Sequence, residues 1–178
     1  MSDALGRLCA DQSKRLGAAL TRLVDAKAAD ELVSGLAQRR TAVWVESLGG
    51  MPISFADLRA QAANAHELGL PLVVENSLAT SFGCPACRLG ADVVVEQLAR
   101  VWPEGTGRCV ALSASKACPS DLRVALAALP SAVLDDTAVT SLVAALAAFP
   151  ARRRREDDAA QVEVRRSEER RVGKECRS

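Results

Sequence analysis

The sequence predicts an α/β protein with a mostly parallel sheet of about five strands and helices on both faces. Short apolar runs rich in β-formers, such as TAVWVES and PLVVEN, have the composition of buried strands. The segments between them repeat apolar residues at helical spacing, and glycine or proline separates the two kinds of segment. A chain of 178 residues is long enough for one domain with its own core.

The chain begins with a predicted helix over residues 3–16, whose leucines lie broadly on one side, and Gly17 ends it. Residues 18–25 predict a short strand, and residues 28–38 predict a second helix. Residues 41–47 form a continuous apolar run, which predicts a strand buried on both faces.

A helix and a further strand follow this run. Ser54 and Asp57 resemble a capping box at the start of a helix that Gly69 ends. Residues 71–76 predict the next buried strand. Together with strand 41–47, they predict a right-handed parallel crossover.

The second half of the chain predicts two more strands and two helices. Residues 91–97 and 108–113 have strand composition, and a short turn containing proline and glycine separates them. Because that turn is short, the second strand is a candidate for antiparallel pairing. Residues 121–129 and 136–149 predict the last helices.

Polar side chains lie where three of the predicted strands end. They are Glu46, Glu75 with Asn76, and the segment from Gln97 to Arg100. Ligands of α/β proteins bind outside the carboxyl ends of parallel strands. We therefore expect these ends to open on one edge of the sheet and to form the site there.

Composition narrows the class of protein. Apolar residues make up 49% and charged residues 25%, as in ordinary soluble globular proteins. With 3% aromatic residues and no tyrosine, the core must be built from Ala, Val and Leu, and we expect it to be marginally stable. The chain contains no run that resembles a signal peptide or a membrane span, which predicts a cytoplasmic protein without a membrane partner.

Six cysteines in such a chain are expected to be reduced thiols. Cys84 and Cys87 form one CPAC motif. A single CxxC supplies two of the four ligands of a structural zinc. We prefer to interpret Cys84 and Cys87 as small core or loop residues, and we predict no metal site. Zinc binding or redox chemistry at this motif is the alternative.

The last thirteen residues, RSEERRVGKECRS, resemble the translation of a sequencing-adapter read-through. They show no hydrophobic period and no capping pattern, so we predict that residues 166–178 are a non-native tail. Without them the chain has 18 basic and 19 acidic residues instead of 23 and 22. We expect the natural reading frame to have been cut short near Arg165.

Four stretches of the sequence together resemble one enzyme family. They are VWVESLGG, NAHELGLP, LVVENSLATSF and LGADVVVEQLAR, in that order. The order is similar to the middle of the pyridoxal-phosphate (PLP) enzymes of cysteine and methionine metabolism, the cystathionine γ-synthase-like family with the aspartate-aminotransferase fold. The resemblance runs from about Asp3 to about Val164. It implies part of the large PLP domain over residues 1–150 and, over residues 151–165, the start of a helix toward a C-terminal domain.

The resemblance also implies site residues, whose chemistry is degraded here. The family's aspartate that pairs with the PLP ring nitrogen falls on Glu75. Its phosphate-binding serine and threonine fall on Gln97 and Ala99, and an asparagine near the ring falls on Gly50. The lysine that forms an imine with PLP falls on Arg100. A guanidinium, with a pKa above about 12, has no free amine to condense with an aldehyde, so we predict no turnover.

For the other candidate residues we prefer structural interpretations. Lys116 lies one strand too late for a displaced imine lysine, and His66 lies near a helix end, where a cation is favourable. The arginine run of residues 151–156 is followed at once by acidic residues and lacks interleaved aromatics, so we predict no nucleic-acid binding. A nucleotide-binding protein is disfavoured because neither GxGxxG nor a P-loop motif follows a strand.

Two functional hypotheses remain. The first is a PLP enzyme by descent, whose parent activity is elimination or replacement at the β or γ carbon of sulfur amino acids, with a small amino-acid substrate only if the copy is active. The second is a non-catalytic scaffold or interaction subunit, or a broken open reading frame. Because the family assembles into dimers and tetramers, we expect a homo-oligomer or a hetero-oligomer with a family member. An imine on any lysine would discriminate between the hypotheses.

Overall fold

The computed structural model of the chain describes residues 3–50, 52–105 and 109–175. The predicted helices and strands occur in the predicted order, most of them within a few residues of the predicted bounds, whereas the elements at Leu48–Gly49, Ser54–Phe55 and Thr80–Gly83 were not predicted. The helices are α1 (Asp3–Leu16), α2 (Ala26–Arg39), α3 (Leu58–Glu67), α4 (Thr80–Gly83), α5 (Ser120–Ala128) and α6 (Asp136–Glu175), with 3₁₀ helices at Ala86–Leu89, Leu98–Arg100 and Pro103–Gly105. The strands are β1 (Leu20–Asp25), β2 (Val43–Glu46), β3 (Leu48–Gly49), β4 (Ser54–Phe55), β5 (Leu72–Glu75), β6 (Val93–Gln97) and β7 (Cys109–Ala114).

Five strands form one sheet in the order β1-β7-β6-β5-β2, and β3 pairs with β4 in a separate hairpin. The neighbours β2, β5 and β6 are parallel, whereas β7 runs antiparallel to both β6 and β1. β1 therefore points in the same direction as β6, and β7 is the reversed strand of this sheet. The predicted five-stranded α/β sheet is confirmed, but half of its pairings are antiparallel because the reversed strand lies between two others.

Helices cover both faces of the sheet, as predicted. On one face, α2 and α5 pack over a cluster that includes Val73 and Val93. On the other face, α3 packs against Leu72 and Val74, while α1 and α6 pack near Ala111. Successive strand residues point to opposite faces, so a continuous apolar run such as LVV supplies both cores at once.

The strand at residues 41–47 is not buried on both faces, contrary to the prediction. It forms β2, which lies at an edge of the sheet, and the Trp44 side chain is 41% exposed. β5, with similar composition, lies in the middle of the sheet and is buried over most of its length. An apolar run identifies a strand but leaves open whether a neighbour covers it.

The predicted capping box at the start of α3 was also wrong in part. Asp57 is the N-cap, and its carboxylate accepts a hydrogen bond from the Ala60 backbone N–H at 3.1 Å. Ser54 belongs to β4, where its hydroxyl donates to the Gly49 carbonyl. The helix begins one turn later than the Ser54 pattern indicates.

Helix α6 is longer than predicted. The expected end at residue 149 is absent, because α6 continues through Pro150 to Glu175. Its first half buries Leu142 and Phe149, whereas residues 154–167 are exposed. The described part of the 166–178 segment is thus helical, and its assignment as a non-native tail stays a prediction. None of the described helices, α6 included, combines the length and hydropathy that a membrane crossing requires.

Candidate functional site at the carboxyl edge of the sheet

The parallel strands β2, β5 and β6 end beside one another. Glu46 pairs in register with Glu75, and Glu75 with Val95, so the segments that follow leave the sheet at the same edge. This edge collects the polar strand ends that the sequence singled out. The loops after the strands are then joined by side-chain hydrogen bonds.

Asn76 connects two of these loops from a fully buried position. Its Oδ1 accepts a hydrogen bond from the Ser47 hydroxyl at 2.8 Å, and its Nδ2 donates to the Cys84 carbonyl at 3.1 Å. Both polar atoms of the amide are satisfied within the protein, so Asn76 fixes the shape of the edge.

The Glu75 carboxylate is held by the turn that follows its own strand. Its Oε1 accepts hydrogen bonds from the Ser77 backbone N–H at 3.0 Å and from the Ser77 hydroxyl. The same hydroxyl accepts a hydrogen bond from the Gln97 backbone N–H at 2.8 Å. Glu75 therefore stabilises the contact between the loops that follow β5 and β6.

Beyond β6 the chain turns into the 3₁₀ helix Leu98–Arg100. Gln97 is exposed and Ala99 is half-buried. The Arg100 guanidinium lies 3.4 Å from the Glu156 carboxylate, and the Arg100 carbonyl accepts a hydrogen bond from Arg152. Arg100 thus links the end of β6 to α6. Gly50, the other predicted position, lies in the exposed β3–β4 loop with a φ of 82°.

Two lysines follow other strands of the sheet. Lys116 follows β7, and its neighbour Ser115 donates its N–H to the Asp92 carbonyl, just before β6 begins. Because β7 is reversed, Lys116 lies at the opposite edge, more than about 13 Å from the carboxyl end of β6. Lys27 follows β1 at the carboxyl edge, but β7 separates β1 from β6, and its ammonium group lies 3.9 Å from Glu31.

The sequence analysis missed Glu96, a fully buried carboxyl in β6. It accepts hydrogen bonds from Gln12 Nε2 at 3.0 Å and from the Ser81 backbone N–H at 3.1 Å, and the Ser81 hydroxyl donates to Gln12 Oε1. Burial raises the pKa of Glu96 from 4.5 to about 7, against the opposing effect of these hydrogen bonds. A charged residue inside the apolar run ADVVVEQ was the available signal.

His66 and the CPAC motif have structural surroundings. His66 Nε2 lies 2.7 Å from the buried Asp92 carboxylate, which also accepts the Leu72 backbone N–H, so this contact joins α3 to β5. Cys84 and Cys87 are free, half-buried thiols, and burial raises the pKa of Cys87 to about 12. Within the described residues, no cluster of three or more His, Cys, Asp or Glu side chains is placed to hold a metal.

The side chains at this edge do not fit a covalently bound PLP. Its chemistry begins with a primary amine that condenses with the cofactor aldehyde. The groups at and just after the ends of β5 and β6 are the carboxylate of Glu75, the amide of Gln97, the methyl of Ala99 and the guanidinium of Arg100. Glu75 and Arg100 are also engaged by Ser77 and Glu156.

Sequence comparison finds relatives of known function over part of the chain. The homocysteine/cysteine synthase of Kluyveromyces lactis is 32% identical over 95 residues, which cover 53% of this chain and 21% of that protein. The homocysteine/cysteine synthase of Saccharomyces cerevisiae is 30% identical over 90 residues, covering 50% of this chain and 20% of that protein. The matches thus span about a fifth of the length of these relatives.

Solved structures share the fold over most of the chain. A methionine gamma lyase from Micromonospora echinospora superposes with a TM-score of 0.62 at 17% identity, covering 83% of this chain and 52% of that one. A cystathionine gamma synthase from Xanthomonas oryzae pv. oryzae gives 0.62 at 15% identity, covering 85% and 52%. The family model described as "Cys/Met metabolism PLP-dependent enzyme" matches residues 4–124, about two thirds of the sequence. The chain therefore belongs to the PLP-dependent enzyme family of cysteine and methionine metabolism.

Proposed function

We propose that this chain is a non-catalytic member of its family, which keeps the architecture but does not form the covalent link to PLP. The observation that carries the proposal is Arg100, where the family resemblance expects the imine-forming lysine. A guanidinium stays protonated and cannot condense with an aldehyde. Its ion pair with Glu156 supports a structural role that connects β6 to α6.

The placement of Lys116 and Lys27 supports the same proposal. Lys116 lies at the opposite edge of the sheet, and Lys27 is separated from β6 by β7. An aliphatic lysine side chain reaches only about 6 Å beyond its Cα, which is less than two strand spacings of about 4.8 Å each. Neither the Lys116 amine nor the Lys27 amine can therefore reach the place of an amine at residue 100 unless the backbone moves.

Borohydride trapping tests this proposal. The purified chain is incubated with PLP, dialysed, reduced with borohydride and mapped by peptide mass spectrometry. We expect no modified lysine in the native chain, because Arg100 stands at the end of β6 and neither Lys27 nor Lys116 lies there. The matched variant Arg100→Lys supplies that amine, and we expect a reduced adduct at residue 100. A stoichiometric adduct on any lysine of the native chain would overturn the proposal.

We further propose that the parent enzyme acted on sulfur amino acids, by elimination or replacement at the β or γ carbon. The names of the homocysteine/cysteine synthase relatives support this substrate class. We propose no small amino-acid substrate for the present copy. The free thiols of the described residues support a reducing, cytoplasmic location.

A second candidate function is that of an interaction subunit in a homo-oligomer or with another family member. Apolar side chains are exposed on β2 and on the hairpin after it: Trp44 at 41%, Ile53 at 69% and Phe55 at 81%. β2 also leaves one side of its backbone unpaired within the described sheet. Exposed apolar residues beside an open strand edge favour association.

Light scattering of the purified chain tests association. We expect a mass of at least two chains, and we expect the double variant Ile53→Ser with Phe55→Ser to return it to one. Val133, which is 93% exposed and distant in sequence from the hairpin, provides the matched control Val133→Ser. A monomeric native chain, or equal effects of the two variants, would contradict a role for this hairpin.

A further inference from the structure

The backbone of β2 is open along one side. Val43 and Ser47 donate their N–H groups to carbonyls of the β5 segment, so these two residues face β5. Residues of a strand in a parallel ladder alternate between facing the neighbour and facing away from it. The N–H and C=O groups of Ala42, Trp44 and Glu46 therefore point outward, and within the described residues no further strand pairs with β2 on that side.

The side chains of β2 divide between the two faces of the sheet. Val43 and Val45 pack in the cluster under α3, whereas Ala42 packs in the cluster under α2 and α5. Because side chains alternate along a strand, Trp44 and Glu46 share the face of Ala42. Trp44 is 41% exposed there, and Glu46 is also exposed. An apolar ring and a carboxylate thus stand beside the open backbone.

The sequence of β2 does not prevent pairing at this edge. Edge strands are commonly protected by lysine, by proline or by a bulge. The segment AVWVES has neither lysine nor proline, and its pairing with β5 runs without interruption from Val43 to Glu46. Since β2 is short, contacts between side chains must add to the backbone hydrogen bonds for such a pairing to be stable.

The two ends of the β2 segment carry opposite charges. Arg40 precedes it and Glu46 ends it, both side chains are exposed, and neither has a hydrogen bond or an ion pair within the described residues. Arg40 lies among the α2 and α5 residues that flank the face on which Glu46 stands. Along a strand the two charges are about 20 Å apart, too far to pair within one chain.

Antiparallel pairing of β2 with β2 of a second copy accounts for these features together. A two-fold axis beside Val43 places Ala42 opposite Trp44 of the second copy, so a small side chain faces a large one. The outward N–H and C=O groups of these residues then form about four hydrogen bonds. The same axis brings Arg40 of each copy against Glu46 of the other. A parallel pairing would instead place like charges side by side.

We propose that this chain forms a homodimer in which the two β2 strands pair antiparallel and join the two sheets into one. The inference rests on the proposed role as an interaction subunit, and it names the partner as a second copy of this chain. A two-fold axis brings each end of β2 against the other, so the opposite charges at the two ends favour this partner. The β3–β4 hairpin of one copy then borders the start of β2 in the other, beside the exposed Ile53 and Phe55.

Sedimentation equilibrium of the purified chain tests the charge pairing. We expect the native chain to be a dimer. Arg40→Glu leaves carboxylates at both ends of β2, and Glu46→Arg leaves guanidinium groups at both ends. Each variant should therefore raise the dimer dissociation constant roughly 10-fold. An equimolar mixture of the two variants restores both ion pairs, so it should form a heterodimer as tight as the native dimer.

Residue-resolved amide hydrogen exchange tests the backbone pairing. The outward N–H groups of Trp44 and Glu46 should exchange slowly in the native dimer, because the second copy accepts a hydrogen bond or covers them. They should exchange rapidly in Arg40→Glu at a concentration at which that variant is monomeric. The Val43 N–H, which is bonded toward β5, should stay protected in both proteins and is the internal reference.

Arg59→Glu makes the same charge change on the exposed surface of α3 and is the matched control, with an unchanged dissociation constant expected. Recovery in the mixture shows that the single variants are folded. Single variants as tight as the native dimer, no recovery in the mixture, or rapid exchange at Trp44 and Glu46 would overturn the edge pairing but leave association through another surface. A monomeric native chain would overturn both, and the lack of an imine is tested separately by borohydride.

Discussion

Raising the pH from about 5 to about 8 should lower the free energy of unfolding by about 3 kcal/mol through Glu96 alone. Burial raises the pKa of this carboxyl from 4.5 to about 7 in the folded chain. Between those values the unfolded chain has lost the proton while the folded chain keeps it. Unfolding then releases a proton, and a higher pH favours it.

The size of the effect follows from the shift in pKa. A rise from 4.5 to about 7 corresponds to about 3 kcal/mol. Glu96 contributes this stability fully below its unfolded pKa of 4.5, and the contribution is lost as the pH rises through about 7. The nearby Glu75 carboxylate acts in the same direction, because repulsion disfavours a second negative charge.

Urea denaturation at several pH values measures this dependence, and Glu96→Gln is the control. Glutamine keeps an oxygen that accepts hydrogen bonds from Ser81 and Gln12, but it does not ionise. The variant should resemble the native chain at about pH 5 and exceed its stability at about pH 8 by up to about 3 kcal/mol. Parallel pH profiles of the two proteins would show that another group is responsible.

Trp102→Ala should lower the free energy of unfolding by about 4 kcal/mol, enough to unfold much of a marginally stable chain. Trp102 is 1% exposed, and its Nε1–H donates to the Ser141 hydroxyl of α6 at 2.9 Å. The chain closes tightly over the ring: a Cβ added at Gly105 would lie 1.9 Å from a ring carbon. Truncation therefore leaves a cavity that few neighbours can fill.

Circular dichroism during urea denaturation measures this loss, and Trp44→Ala is the matched control. Trp44 lies on the edge strand β2 and is 41% exposed, so its truncation should cost about 1 kcal/mol. Equal losses for the two tryptophans would contradict the assignment of Trp102 to the core.

The elements that sequence predicted well are those whose burial follows local pattern. β5 and the residues Val93–Val95 of β6 supply apolar side chains to both faces because both faces are covered, and α1 matches its predicted bounds. The burial of β2 was predicted wrongly, because composition does not reveal which strand lies at an edge. The pairing of β1 with β7 could not be predicted from local sequence patterns, because the two strands are far apart in the sequence.

In the candidate site, too, the sequence predicted the features that follow from strand order and missed the contacts between residues far apart in the sequence. The gathering of Glu75, Asn76 and Arg100 at one edge follows from parallel strand order, which the sequence predicted. The partner of Arg100 was not predictable, because Glu156 lies 56 residues away on a helix whose length was underestimated. Glu96 was missed for a similar reason: its partner Gln12 lies 84 residues away, in α1.

The length of α6 leaves its second half outside the core. Residues 154–175 would extend about 33 Å as a helix, and residues 154–167 are exposed all round. Local ion pairs over residues 152–166, such as Arg153 with Asp157 and Arg166 with Glu163, are each worth a few tenths of a kcal/mol, whereas Glu156 pairs with the distant Arg100. Residues 154–167 of α6 therefore do not contribute to the core. At its base, Arg152 and Glu156 contact the backbone and the side chain of Arg100, so the exposed part of α6 begins beside the segment that follows β6.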